Sequence, residues 1–330
     1  MARDEIHAKH WQTGSLMAQR DPLEGKLVVL IGGSGFFGAH LAQDLLARGA
    51  RVRIAARNPE RAGRIKPLGN LGQTQLVGCD AARPDTVRKA MIGADAAVYM
   101  VGAFNGDLDA IQDKAAGVAA AAAAEQGAQA FVYISAIGVD PDTDIPYART
   151  KAEGEKSVLA AFPKATVLRP SVLFGEGDNF INMFARLIAS LPVLPVFGPE
   201  ARLQPLLVDD AALAVTTALA DPARHGGRTY ELAGPDVLTM GELNRRIAAA
   251  QGRRKLFIDM PDIGSAIFAA IPGSPMNLDQ WRLLKQGNVA SGTLPGIDKL
   301  GIRPRPLGLF LNRWMIRYRK HGRFAAPASA

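Results

Sequence analysis

KLVVLIGGSGFFGAHLAQDLLARGA, residues 26–50, joins a short apolar run to spaced glycines and then to a four-residue repeat of Phe37, Leu41 and Leu45. The run reads as a strand, and the repeat as one face of a helix that stops near Gly49. Between them Gly32, Gly35 and Gly38 stand at G-x-x-G-x-x-G. In that place the first glycine permits a tight turn, the second lets the backbone approach a pyrophosphate, and the third lets the helix lie against the strand. The helix opens at Phe36 and Phe37, where free N–H groups and a partial positive charge face any bound phosphate.

The same alternation continues downstream. Apolar runs at 51–57, 74–80, 96–102, 130–135, 165–171 and 228–234 read as further strands, with a helix between residues 82 and 93. The alanine run 119–124 lies in a helical window, where small side chains allow close packing on a sheet. The expected fold is therefore α/β: a Rossmann-type, doubly wound parallel sheet. The expected division assigns 26–174 and 204–234 to that domain, with 1–25 as a flexible tail. Residues 175–203 and 235–330, richer in Pro and Gly, are expected to form a smaller lobe over the carboxyl ends of the strands.

The 330-residue composition, 48% hydrophobic and 21% charged, is that of a globular protein. A single cysteine, Cys79, excludes an internal disulfide and any multi-cysteine metal site. His7 and His10 have ligand-like spacing but lie in a polar leader, so no metal is expected. The most apolar stretch, 180–197, is broken by Arg186, Pro192 and Pro195, and no membrane span is expected. The leader carries acids and no apolar core, which disfavours a secretory or mitochondrial presequence. The net charge of +8 is local: eight basic residues and no acid follow from Lys299 onward. A cytoplasmic protein that sits at the inner face of a membrane is the expectation, with no nucleic acid as partner. The sequence does not define an oligomeric state.

Two groups of residues carry chemistry. The second strand ends in Arg57, followed by Asn58 and Arg61, with no acid before Glu60. A guanidinium there suits a 2′-phosphate, so NADP(H) is favoured over NAD(H). Asp80, closing the third strand, is placed for the adenine amino group. Tyr147 and Lys151 stand four apart, one turn along the same helix face.

Gly32/Gly35/Gly38, Asp80, "YIS" at 133–135, Tyr147-x-x-x-Lys151 and "LRPSVLFGEGD" at 168–178 follow one another as in the extended or atypical branch of the short-chain dehydrogenase/reductase superfamily. The stretch from Tyr147 through "LQPLLVDDAALAV" and the ending "WMIRYRKHGRF" resemble the NADPH-binding accessory subunit of respiratory complex I and its bacterial relatives. The resemblance implies a nucleotide held tightly in a structural role, with Pro170 beside it. It also implies that an active member would use Tyr147 for proton transfer, Lys151 on the nicotinamide ribose and a strand-end hydroxyl on the substrate oxygen. Here Ser135 comes at the strand end, and the position two residues on, where extended members usually carry the hydroxyl, is Ile137, so the hydroxyl is expected to be missing or displaced. Three readings follow: a nucleotide holder on a membrane-associated respiratory partner, an active reductase or epimerase/dehydratase, and a sensor of the NADPH/NADP ratio.

Residues 306–324 interleave aromatics with arginines. On a helix Leu307, Phe310, Leu311, Trp314 and Tyr318 share one face, and Arg313, Arg317 and Lys320 another. Such a face can lie on an anionic membrane, in a groove of a partner, or on the protein's own smaller lobe.

Overall fold

The computed structural model describes residues 20–271 and 276–320. Its centre is a seven-stranded parallel sheet. The strands are β1 (Leu27–Ile31), β2 (Arg51–Ala56), β3 (Thr74–Gly78), β4 (Ala96–Tyr99), β5 (Ala130–Ile134), β6 (Thr166–Pro170) and an edge strand, Thr229–Leu232. From that edge the order runs through β6, β5, β4, β1, β2 and β3. The expected doubly wound sheet is thus present, with strands a residue or more shorter at most ends. β1 pairs with both β2 and β4, so the chain changes winding direction there and the strand ends open a crevice.

Helices cover both faces. On one, α1 (Phe36–Ala47) and α6 (Val208–Ala220) bury Leu41, Leu45 and Val215 against Val28, Leu30 and Val52. On the other, α2 (Pro84–Met91), α3 (Ala115–Glu125) and α4 (Pro146–Ala161) cover Val29, Tyr99 and Tyr133. The alanines bring α3 close to α4: a Cβ added to Gly117 would lie 3.2 Å from the Ser157 Cβ. Gly154 on α4 is tighter still, since a Cβ there would meet the Gln112 carbonyl oxygen at 2.2 Å.

A third core draws on residues 174–207, 238–257 and 307–318, while Ile297, Leu300 and Ile302 of the region assigned to the smaller lobe pack into the core beneath α1 and α6. α5 (Phe180–Ser190), the parallel pair Val193–Phe197 and Leu256–Met260, and helix Met240–Ala250 bury Ile181, Leu194, Leu243 and Ile247. Residues 20–25, assigned to the tail on sequence grounds, are docked: Leu23 is buried, and Asp21 pairs with Arg48 at 3.0 Å. Residues 1–19, with His7 and His10, lie outside the described residues. Among the described residues no helix is long and apolar enough to cross a membrane.

The carboxyl-terminal segment resolves one of the open alternatives. It forms helix Gly308–Trp314 and a 3₁₀ turn, Met315–Tyr318. Leu307, Leu311 and Met315 are buried in the third core, and Phe310, Trp314 and Tyr318 pack against it. Phe310 and Trp314 stack at 5.1 Å, and Trp314 lies edge-on to Phe174 at 5.9 Å. The apolar face proposed for a membrane or partner groove is therefore spent inside the protein, and Arg313, Arg317 and Lys320 remain exposed. Residues 321–324 of that segment lie outside the described residues. Leu311→Ala should cost about 2–4 kcal/mol in urea unfolding because it opens a cavity in this core. A lipid-facing leucine would leave the unfolding midpoint where it is.

Candidate functional site

Gly32 leaves β1 with φ +84°, a left-handed conformation that side chains disfavour, and turns the chain beneath Val101. A Cβ on Gly38 would fall 2.2 Å from the Gly33 carbonyl oxygen, so α1 sits directly on the turn. Gly35 is the opposite case: it is exposed and an added Cβ would meet nothing within 4 Å. That open space at the mouth of α1 suits a phosphate, and a side chain would fill it. The residues present therefore fit a dinucleotide.

A cleft of about 420 Å³ surrounds this turn. It is lined by Gly32, Gly35, Phe36, Phe37 and Gly38 from the first βα unit, Arg57 and Arg61 after β2, and Asp80 after β3. Met100–Ala103, after β4, form the far wall. Arg57 and Arg61 are exposed, with no carboxylate within ion-pair distance among the described residues. Asp80 accepts from Ala82 N through one oxygen, which leaves the other for a ligand donor. Among the described residues no three His, Cys, Asp or Glu side chains could hold a metal together.

Tyr147, Lys151, Ser135 and Pro170 do not line this cleft. Lys151 borders it: a Cβ on Gly102 would lie 3.8 Å from the Lys151 Cε. Lys151 is buried, and its ammonium donates to the carbonyls of Ile134 at 2.7 Å and Val101 at 2.9 Å. Burial pushes that ammonium down to about 7, against the opposing pull of Glu155. The half-buried Tyr147 ring stacks on Phe104 at 4.3 Å. Burial pushes its phenol up to about 12, and no lysine charge offsets it. Pro170 ends β6, buried, and its carbonyl accepts from Ile137 N.

Ser135 is buried, and its hydroxyl donates to Glu155 at 2.5 Å. Arg169 completes the pair, with Nε 2.8 Å and Nη2 2.6 Å from the two Glu155 oxygens. Ile137 is buried and supplies no hydroxyl. Glu155 and Arg169 were missed in the sequence reading. The signal for Glu155 was available, because it stands four residues after Lys151 and eight after Tyr147 on one helix face. Arg169 carries no such signal, since its partner lies on another element.

The NAD(P)H-binding family model matches residues 32–179. The chain is 28% identical over 324 residues to the mitochondrial NADH dehydrogenase [ubiquinone] 1 alpha subcomplex subunit 9 of Arabidopsis thaliana, covering 92% of this chain and 80% of that one. Residues 32–179 are an NAD(P)H-binding domain, and over most of its length the chain is similar to complex I accessory subunits. The chain is also 27% identical over 262 residues to a ceramide reductase of Caulobacter vibrioides, covering 78% of this chain and 79% of that one. The NADP(H) complex of a Citrobacter triphenylmethane reductase shares its fold, with a TM-score of 0.71, 18% identity, and coverage of 87% of this chain and 99% of that one. The recognition and the fold read from the sequence are both borne out.

Between about pH 7 and the ordinary lysine value of 10.5, the unfolded chain holds a proton on Lys151 that the folded chain lacks. Folding stability of nucleotide-free protein should therefore rise with pH through that window, and the cost of the buried ammonium is greatest below it. Urea unfolding across the window should show this slope in the wild type and a smaller one in Lys151→Met.

Proposed function

We propose that this chain holds NADP(H) in the glycine cleft as a structural or regulatory group on a membrane-associated respiratory partner. The observation that carries the reading is that Ile137 fills the position where extended relatives carry the hydroxyl, and that Ser135 and Lys151 are engaged with other groups. Ser135 is bound to Glu155, Lys151 to two main-chain carbonyls, and Tyr147 is stacked on Phe104. A phenol near 12 is un-ionised at neutral pH, which removes the base and weakens the acid. Bound nicotinamide supplies hydride chemistry, but these residues do not assemble a proton donor and a substrate hydroxyl beside it.

Gly35 and the first turn of α1 cradle the pyrophosphate in this reading. Arg57 and Arg61 take the 2′-phosphate, Asp80 receives the adenine amino group, and Lys151 closes the nicotinamide end. The absence of an acid beside Arg57 supports NADP(H) over NAD(H). Denaturing the purified protein should release stoichiometric NADPH that has not exchanged with excess NADP⁺ over hours. Empty or rapidly exchanging protein would overturn the holder. Arg57→Ala should weaken NADPH about tenfold or more and leave NADH unchanged.

The partner side rests on the named complex I relatives and on the surface of the third core. Residues 235–320 hold 14 basic and 6 acidic side chains. Leu256, Ile258, Ile263 and Ile267 of that region are exposed. A basic surface with exposed apolar groups supports docking to an acidic, membrane-associated partner.

One observation favours an active reductase or epimerase instead. The Tyr147 hydroxyl has no protein hydrogen-bond partner among the described residues and is free to meet a ligand. Tyr147→Phe separates the two readings: the holder predicts retained NADPH and normal growth, and the enzyme predicts retained NADPH with loss of function.

A further inference from the structure

A second cavity, also about 420 Å³, shares no lining residue with the nucleotide cleft. Ile137–Val139, after β5, form one wall, and residues 286–294 contribute to the other. Arg169 on β6 and Glu231 on the edge strand stand opposite each other in register on its floor, and Arg202 flanks it.

The outer wall is held in place before any ligand arrives. Asn288 accepts from Val172 N at 2.5 Å and from Gln204 N at 2.9 Å. Ala290 N donates to the Gln204 side chain at 3.0 Å. Ser291 donates through its N–H at 2.7 Å and its hydroxyl at 2.9 Å to one oxygen of Glu231. The other Glu231 oxygen accepts no hydrogen bond among the described residues and is open to the cavity. A carboxylate oxygen open to a polar cavity can accept from a ligand donor.

Charge identifies what that donor belongs to. Arg169 is held by Glu155 through two bonds and also feels the charge of Glu231, without an ion pair between them. Arg202 and Glu231 remain, one of each sign, and they do not satisfy each other: no contact between them falls within 4.0 Å. A simple anion would answer Arg202 and repel Glu231. A ligand with both charges answers both.

We propose that this cavity is a second ligand site, for a small zwitterion that offers a phosphate or carboxylate to Arg202 and a primary ammonium to Glu231. It stands independently of whether the nucleotide turns over. Free metabolites and lipid headgroups both carry this chemistry.

Isothermal titration of the full chain saturated with NADPH, so that the glycine cleft is filled, tests it. The probes are O-phosphoethanolamine, β-alanine and inorganic phosphate. Saturable one-site binding of a zwitterion, at least about tenfold tighter than phosphate, is expected. Arg202→Ala, at an exposed position, should weaken it about tenfold, and Glu231→Gln should remove the advantage over phosphate. Retained NADPH binding in both variants reports folding; should Glu231→Gln fail to fold, Arg202→Ala alone decides. No saturable binding of either zwitterion at millimolar concentration, equal affinity for phosphate, or an unchanged Arg202→Ala overturns the proposal. Sedimentation with phosphatidylethanolamine vesicles that is lost in Arg202→Ala marks a headgroup as the source. Zwitterion binding without sedimentation marks a free metabolite.

Discussion

Glu155 is buried where α4 meets the ends of β5 and β6, and its two oxygens take both the guanidinium edge of Arg169 and the hydroxyl of Ser135. A buried ion pair of this kind adds little net stability against an apolar substitute, but loss of one partner strands a charge at a cost of about 3–5 kcal/mol. The pair therefore acts as a constraint. It fixes the rotation of α4 about its own axis, and so fixes where Lys151 and Tyr147 point, one and two turns back along the same face. It also engages the Ser135 hydroxyl at the end of β5.

The packing around α4 reinforces that constraint. Gly154 lets the helix approach so closely that Tyr133 can donate to the Gln112 carbonyl at 2.9 Å. Lys151 then reaches across the ends of β4 and β5 to two carbonyls and lies 5.0 Å from the Tyr133 ring centre. Its ammonium serves as a cross-strand tie at the edge of the nucleotide cleft. A lysine in that position has a structural reason to be present whether or not any proton moves.

The two cavities divide the carboxyl edge of the sheet. One sits at β1, β2, β3 and β4, where glycines expose main-chain groups and arginines stand free. The other sits at β5, β6 and the edge strand, where Arg202 and Glu231 both line the wall with no ion pair between them. Ser135 and Glu155 line neither cavity and are bound to each other and, through Glu155, to Arg169 on the floor of the second.

The strand–glycine–helix unit, the alternation that makes a parallel sheet, and the cofactor class were legible in the sequence because each is written in neighbouring residues. Strand runs, helical repeats and glycine spacing are local patterns, and the open space over Gly35 follows from the local turn. Other features depended on residues far apart in the chain. Lys151 finds its acceptors 17 and 50 residues away, and Ser135 finds Glu155 20 residues on. Arg169 and Glu231 become neighbours only through the register of two strands. The segment ending at Tyr318 has the same amphipathic pattern whether its apolar face meets lipid, a partner or its own core. Only the folded chain, by placing Phe174 and Ile247 against Leu311 and Trp314, decided for the core, because burial is a property of what surrounds a face and not of the face itself.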